Sequence, residues 1–233
     1  TSAGSLFGGL YAAGWSVDDI AAFAREMPRR ISLRGRLWDF CIPPRSGLIR
    51  GQRTLNFLRR LFEDKTFADL RIPLYVVAAD ILSGEEVVFD SGPVAEAVRA
   101  SISIIGIFAP AHVRGRYLVD GGAVNPVPTS VLAQHGANII LASSVITGME
   151  PPSDDPRPPS FLGVVTNVMG LMEREIIKTR MQPVDVVIRP EVEPYSSMQY
   201  DLAETFIHLG EEATRRVLPQ IQALLAPRSR RVQ

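Results

Sequence analysis

Residues 72–101 read IPLYVVAADILSGEEVVFDSGPVAEAVRAS, and the fold class follows from how this stretch is parsed. Ile72 to Ile81 is short, apolar and rich in β-branched residues, which suits a strand buried on both faces. Ser83-Gly84 makes a turn, and Glu85 to Phe89 reads as a partner strand. Pro93 then opens a helix over Val94 to Ser101, because its fixed φ suits a first turn. Strand, strand and helix thus follow within thirty residues.

The same alternation continues outward. Upstream, a small-residue helix is predicted from Gly4 to Ala13, ended by Gly14. Ser16 caps a second helix, Val17 to Arg25, with Asp18 and Asp19 favourable in its first turn. Arg29 to Gly51 mixes Pro43, Pro44, Gly47 and basic residues, and reads as irregular. Gln52 to Phe62 is amphipathic, with Leu55, Leu58, Leu61 and Phe62 on one side. Downstream, a short strand from Tyr117 to Val119 ends at Asp120-Gly121-Gly122. A helix over Pro128 to Gln134 stops at Gly136, and Asn138 to Val145 reads as a buried strand. Five prolines between Pro151 and Pro159 mark an exposed loop. A long helix from Phe161 to Met181, a strand from Val184 to Ile188 and a final helix from Asp201 to Leu225, kinked at Pro219, complete the pattern. The expectation is an α/β layered fold around a mainly parallel sheet, forming one domain over 1–226, with a frayed basic tail at 227–233.

Composition narrows the function classes. Apolar residues make up 46% of the chain, enough for a sizeable core in 233 residues. Twenty-five basic residues balance twenty-five acidic ones, so no global charge draws the chain to nucleic acid. Cys41 is alone, so packing rather than an internal disulfide must stabilise the fold. One Cys and the scattered His112, His135 and His208 give no metal-ligand spacing. No apolar run is long enough to span a bilayer.

Chemistry concentrates at Thr1-Ser2-Ala3-Gly4-Ser5. A Gly before Thr1 would complete Gly-x-Ser-x-Gly, the turn that carries a hydrolase nucleophile. Backbone N–H groups at the helix start behind it, Ala3 first, can hold an oxyanion. The plainer reading makes Ser2 a helix cap. Asp120 is the second candidate, at the end of a strand and followed by two glycines; a surface turn is its plainer reading. A triad would need a histidine as base, and none of the three sits in a motif, so Asp120 is the better direct base for Ser2. Residues 161–172 (FLGVVTNVMGLM) read first as a core helix, and second as a cover for an acyl pocket or a lipid contact. Arg29, Arg30, Arg34 and Arg36 lie among Leu33, Leu37, Trp38 and Phe40. Their default reading is a solvated loop, the alternative a contact with anionic headgroups.

These residues resemble a family. Thr1-Ser2-Ala3-Gly4 with the following SLFGGLYAAG is similar to the nucleophile elbow and helix of patatin-like phospholipases. YLVDGGAVNPVP, Tyr117 to Pro128, resembles that family's second motif, in which the Asp of Asp-Gly-Gly is catalytic. TFADLRIPLYVVAAD (66–80) and RASISIIGIFAP (99–110) also look like family segments, although many relatives carry a proline where this chain has Ile105. The closest subgroup looks like the bacterial members related to neuropathy target esterase. The resemblance implies a three-layer patatin-like fold and a serine lipid acyl hydrolase with a Ser2–Asp120 dyad working through an acyl-enzyme. Ala3 would supply part of the oxyanion hole, and Gly4, Gly121 and Gly122 are the motif glycines. It implies a lipid or lysophospholipid substrate, no metal, no organic cofactor, no nucleic-acid partner, and a cytoplasmic or peripheral membrane location. A general carboxylesterase or thioesterase of the same fold and a silent interaction module are the alternatives. The family's Gly-rich oxyanion segment and the strand leading into the elbow would lie before Thr1. The expectation for a chain with these bounds is little esterase activity.

Overall fold

The computed structural model describes residues 1–31, 38–41, 43, 46–145, 160–192, 195 and 199–226. The proline loop at 151–159, Leu33, Arg34, Arg36 and Leu37 of the basic cluster, and the tail at 227–233 lie outside the described residues. Three helices come first: α1 (Ala3–Ala12), α2 (Val17–Ile31) and α3 (Gln52–Leu61). Then follow β1 (Val76–Asp80), β2 (Glu86–Phe89), α4 (Val94–Ser101), β3 (Ala111–Val113), β4 (Arg116–Asp120) and α5 (Thr129–Gln134). The last elements are β5 (Leu141–Ser143), α6 (Phe161–Arg180), β6 (Val186–Ile188) and α7 (Ala203–Leu225). The α/β class read from the sequence is the one observed.

Local chemistry explains most boundaries. The Ser16 hydroxyl accepts from the Asp19 N–H and donates to the Asp19 carboxylate, a reciprocal cap at the start of α2. α2 runs six residues beyond its predicted end, through Pro28. Asp39 caps α3 from a distance, accepting from the N–H groups of Gly51 and Gln52. α7 likewise continues through Pro219.

Strand direction differs from the expectation. The main sheet has the order β2-β1-β4-β3 and every neighbouring pair in it is antiparallel. Only the separate β5–β6 pair is parallel. The cause is connection length. β1 and β2 are joined by a short turn, and Arg114-Gly115 joins β3 to β4 with both residues at positive φ, the hairpin geometry that demands antiparallel neighbours. β1 is buried at all five positions, as predicted, but burial on both faces does not require a parallel neighbour. β3 was not anticipated; three residues, one of them an exposed His, carry too little pattern.

The core lies between the sheet and α1 to α4. α4 is its centre: Val94, Ala95, Ala97, Val98 and Ala100 are all buried. They pack with Leu6 and Leu10 of α1, Leu58 and Phe62 near the end of α3, and Val76, Phe89 and Leu118 of the sheet. Phe23 of α2 joins by edge contacts to Phe7 and Trp15 and a stack on Phe57. This packing sets the N-terminus of α1 beside the end of β4.

Candidate active site

Ser2 stands one residue before α1 with φ 49° and ψ −127°. A non-glycine residue at positive φ carries strain of about 1–3 kcal/mol. A helix cap would sit in extended backbone and bond the first turn; Ser2 does neither, for its side chain makes no capping bond. Its hydroxyl instead comes close enough to the Asp120 carboxylate to favour that group's charged form.

The strained turn is tied down on several sides. The Ser2 N–H donates to the Ser101 hydroxyl at 2.9 Å, and Ser101, fully buried at the end of α4, donates on to the Val77 carbonyl of β1 at 2.7 Å. The Ser2 carbonyl accepts from the Ser5 N–H at 2.9 Å and the Ser5 hydroxyl at 2.6 Å. Thr1 donates its hydroxyl to the Asn125 carbonyl, which fastens the elbow to the loop after Asp120. Behind Ser2, the N–H groups of Ala3 and Gly4 belong to the first turn of α1 and so have no acceptor within the helix. A Cβ at Gly4 would meet nothing within 4 Å.

Asp120 is the last residue of β4 and is 3% exposed. Its N–H donates to the Ser103 carbonyl and its Oδ1 accepts from the Gly122 N–H at 2.9 Å. Burial pushes the carboxyl above its ordinary value, and the Ser2 hydroxyl and the Gly122 N–H act in the opposite direction. The two glycines are there for space. A Cβ on Gly121 would lie 2.4 Å from the Val77 carbonyl oxygen. One on Gly122 would lie 2.3 Å from Glu173 Oε1 and 3.3 Å from Asp120 Oδ1.

The structure therefore brings together Ser2, Ala3, Gly4, Asp120, Gly121 and Gly122. The histidines lie elsewhere: exposed His112 packs on Tyr117, His135 ends α5 beside Tyr75, and His208 faces Glu212 on α7. Ser101, Asn125 and Glu173 were missed. Asn125, fully buried, donates to Glu86 and Ser130 and shapes the same loop. Glu173 carried no signal in the sequence, because its place beside Gly122 depends on where α6 docks. Among the described residues no cluster of His, Cys, Asp and Glu could hold a metal ion.

The first reading of 161–172 as a core helix does not hold. No described residue of α6 from 163 to 180 is buried, and Val164, Val168, Leu171 and Met172 are about half exposed. Their spacing of four, seven and eight residues makes one apolar stripe. No helix among the described residues is long and apolar enough to cross a membrane. At the basic cluster, Arg29 and Arg30 sit at the end of α2, and Trp38 stacks on Phe40 and Phe108.

Comparison with known proteins shows which family the chain resembles. The family model described as patatin-like phospholipase matches residues 1–133. An uncharacterized NTE family protein of Mycobacterium tuberculosis is 36% identical over 158 residues, covering 68% of this chain and 43% of that protein. A second NTE family protein of that organism is 29% identical over 227 residues, covering 97% of this chain and 36% of its own length. The lysophospholipase NTE1 of Saccharomyces cerevisiae is 26% identical over 242 residues, covering 92% of this chain and 14% of that protein. The chain thus spans less than half the length of these relatives. With the family model matching more than half of it, through both the Ser2 turn and the Asp120 turn, the chain belongs to the patatin-like phospholipase family.

Proposed function

We propose that this chain carries the nucleophile and base of a lipid acyl hydrolase, Ser2 and Asp120. One observation carries the reading. A serine held at positive φ makes no cap bond to the helix it precedes, and its hydroxyl acts on a buried carboxylate. A hydroxyl is a weak nucleophile until a base takes its proton, and a carboxylate made more basic by burial suits that task.

The steps follow from the geometry. Asp120 accepts the Ser2 proton as Oγ attacks the ester carbonyl carbon. The oxyanion that forms faces the free N–H groups at the start of α1. Collapse breaks the bond to the alcohol, which leaves with the proton returned by Asp120, and Ser2 holds the acyl group. Water then attacks the acyl carbon and gives its proton to Asp120. The second collapse releases the fatty acid and restores Ser2.

A lipid substrate is supported by the family and by the name of the yeast relative, a lysophospholipase. The half-exposed apolar stripe on α6 supports contact with acyl chains or a membrane surface. The test is covalent labelling of the full-length protein with a fluorophosphonate, followed by peptide mapping. Label on Ser2, lost in Ser2→Ala, is the expected result; equal labelling of Ser2→Ala would refute the assignment. A lipid panel then separates a phospholipase from a general esterase.

A further inference from the structure

Gly122 is not one of the glycines at positive φ, so backbone freedom does not explain it. What occupies the space of its missing side chain is the carboxyl of Glu173. Glu173 Oε1 lies 2.3 Å from where a Cβ would stand, and Asp120 Oδ1 lies 3.3 Å from the same point. Two carboxyls therefore meet above one glycine, and one of them is the proposed base.

We infer that Glu173 is a positioning residue for the dyad, delivered by α6 onto Gly122 so that its charge raises the proton affinity of Asp120. The inference rests on the reading of Ser2 and Asp120 as nucleophile and base. The physical argument concerns where charge sits before and after proton transfer. To act as the base, Asp120 must start as an anion. At the tetrahedral stage it holds the Ser2 proton and is neutral, and the negative charge has moved to the substrate oxygen at the start of α1. A second anion beside Asp120 opposes the first arrangement and does not oppose the neutral acid. It therefore favours transfer of the proton.

The surroundings make the charge on Glu173 adjustable near neutrality. Burial first, and the Asp120 charge second, push its carboxyl up to about 7. The turn at Gly121–Ala123 that α6 packs on has no titratable side chain, and neither does the 102–109 loop, whose Gly106 meets Val165. β2 sends Glu86, and that carboxylate is held by Arg180, two turns further along α6. Asp120 is thus the charged neighbour through which Glu173 acts. The sign follows: Glu173 is neutral below about pH 7 and charged above it, so the dyad gains basicity as pH climbs through that value.

The experiment is the pH profile of kcat/KM and of fluorophosphonate labelling, on full-length wild type, Glu173→Gln, Glu173→Asp and Asp120→Asn, with thermal melts of each. Wild type is expected to show a rise with its midpoint near 7. Glu173→Gln should lose that rise and run about tenfold slower at pH 8, the effect of about one unit of lost basicity in Asp120. Glu173→Asp should recover part of the rise. A wild-type profile in Glu173→Gln, with its melt intact, overturns the inference and leaves the dyad standing. Should Glu173→Gln fail to fold, Glu173→Asp decides: a moved midpoint supports the inference and an unmoved one overturns it. Wild-type turnover in Asp120→Asn would remove the dyad reading and this inference with it.

Discussion

At Ser2 a strained backbone holds the side chain that would carry the proposed chemistry. Its φ of 49° is tolerated only because Ser101, Ser5 and Thr1 hold the turn from three directions. Glycine adopts that conformation without penalty, whereas alanine does not. Ser2→Gly should therefore be more stable than Ser2→Ala by about 1–2 kcal/mol in denaturant unfolding. Equal stability would mean that the turn relaxes without strain. Ser2 and Asp120 could be singled out as candidates because each carries local punctuation, small residues after the serine and two glycines after the aspartate, and because the two motifs together resemble one family. Glu173 could not be, because its role depends on where α6 docks, and nothing within fifty residues of Asp120 announces it.

Among the elements, α4 organises the site. Its Arg99 is 4% exposed and donates to the carbonyls of Gly51, Arg50 and Ala109 and to the Ser103 hydroxyl. Burial lowers its guanidinium to about 10, with the Asp39 charge acting the other way. Ser103 in turn receives the Asp120 N–H, so the arginine supports the base through one intermediary. Arg99→Met would leave the Arg50 and Ala109 carbonyls without their donor and the Gly51 carbonyl with only the Leu55 N–H, at a cost of about 2 kcal/mol or more. Thermal unfolding should show a large fall in Tm, and turnover should fall with it. An unchanged Tm would mean that water replaces the guanidinium without loss. α4 was predicted to the residue, since Pro93 marks its start and its small apolar residues leave no other reading. Strand direction was not legible, because two-sided burial looks the same in parallel and antiparallel sheets. On α6, the apolar stripe supports lipid contact. Val168→Glu with Leu171→Glu should weaken flotation with phospholipid vesicles several-fold and leave turnover of a soluble short-chain ester near wild type. Unchanged flotation would assign the stripe to another surface.

At the scale of the molecule, the helical layer and the antiparallel sheet have one consequence for function. They hold the end of β4 against the start of α1, so that residues 118 positions apart come within reach of each other's electrostatics. The family sets the expectation of ester chemistry, and the fold supplies the two groups that would perform it. The most direct measurement is hydrolysis of a lysophospholipid by the full-length protein, wild type against Asp120→Asn, with both variants shown to be folded. The account expects the asparagine variant, which keeps the shape and loses the base, to turn over about a hundred to ten thousand times more slowly. Turnover at the wild-type rate in folded Asp120→Asn would contradict it.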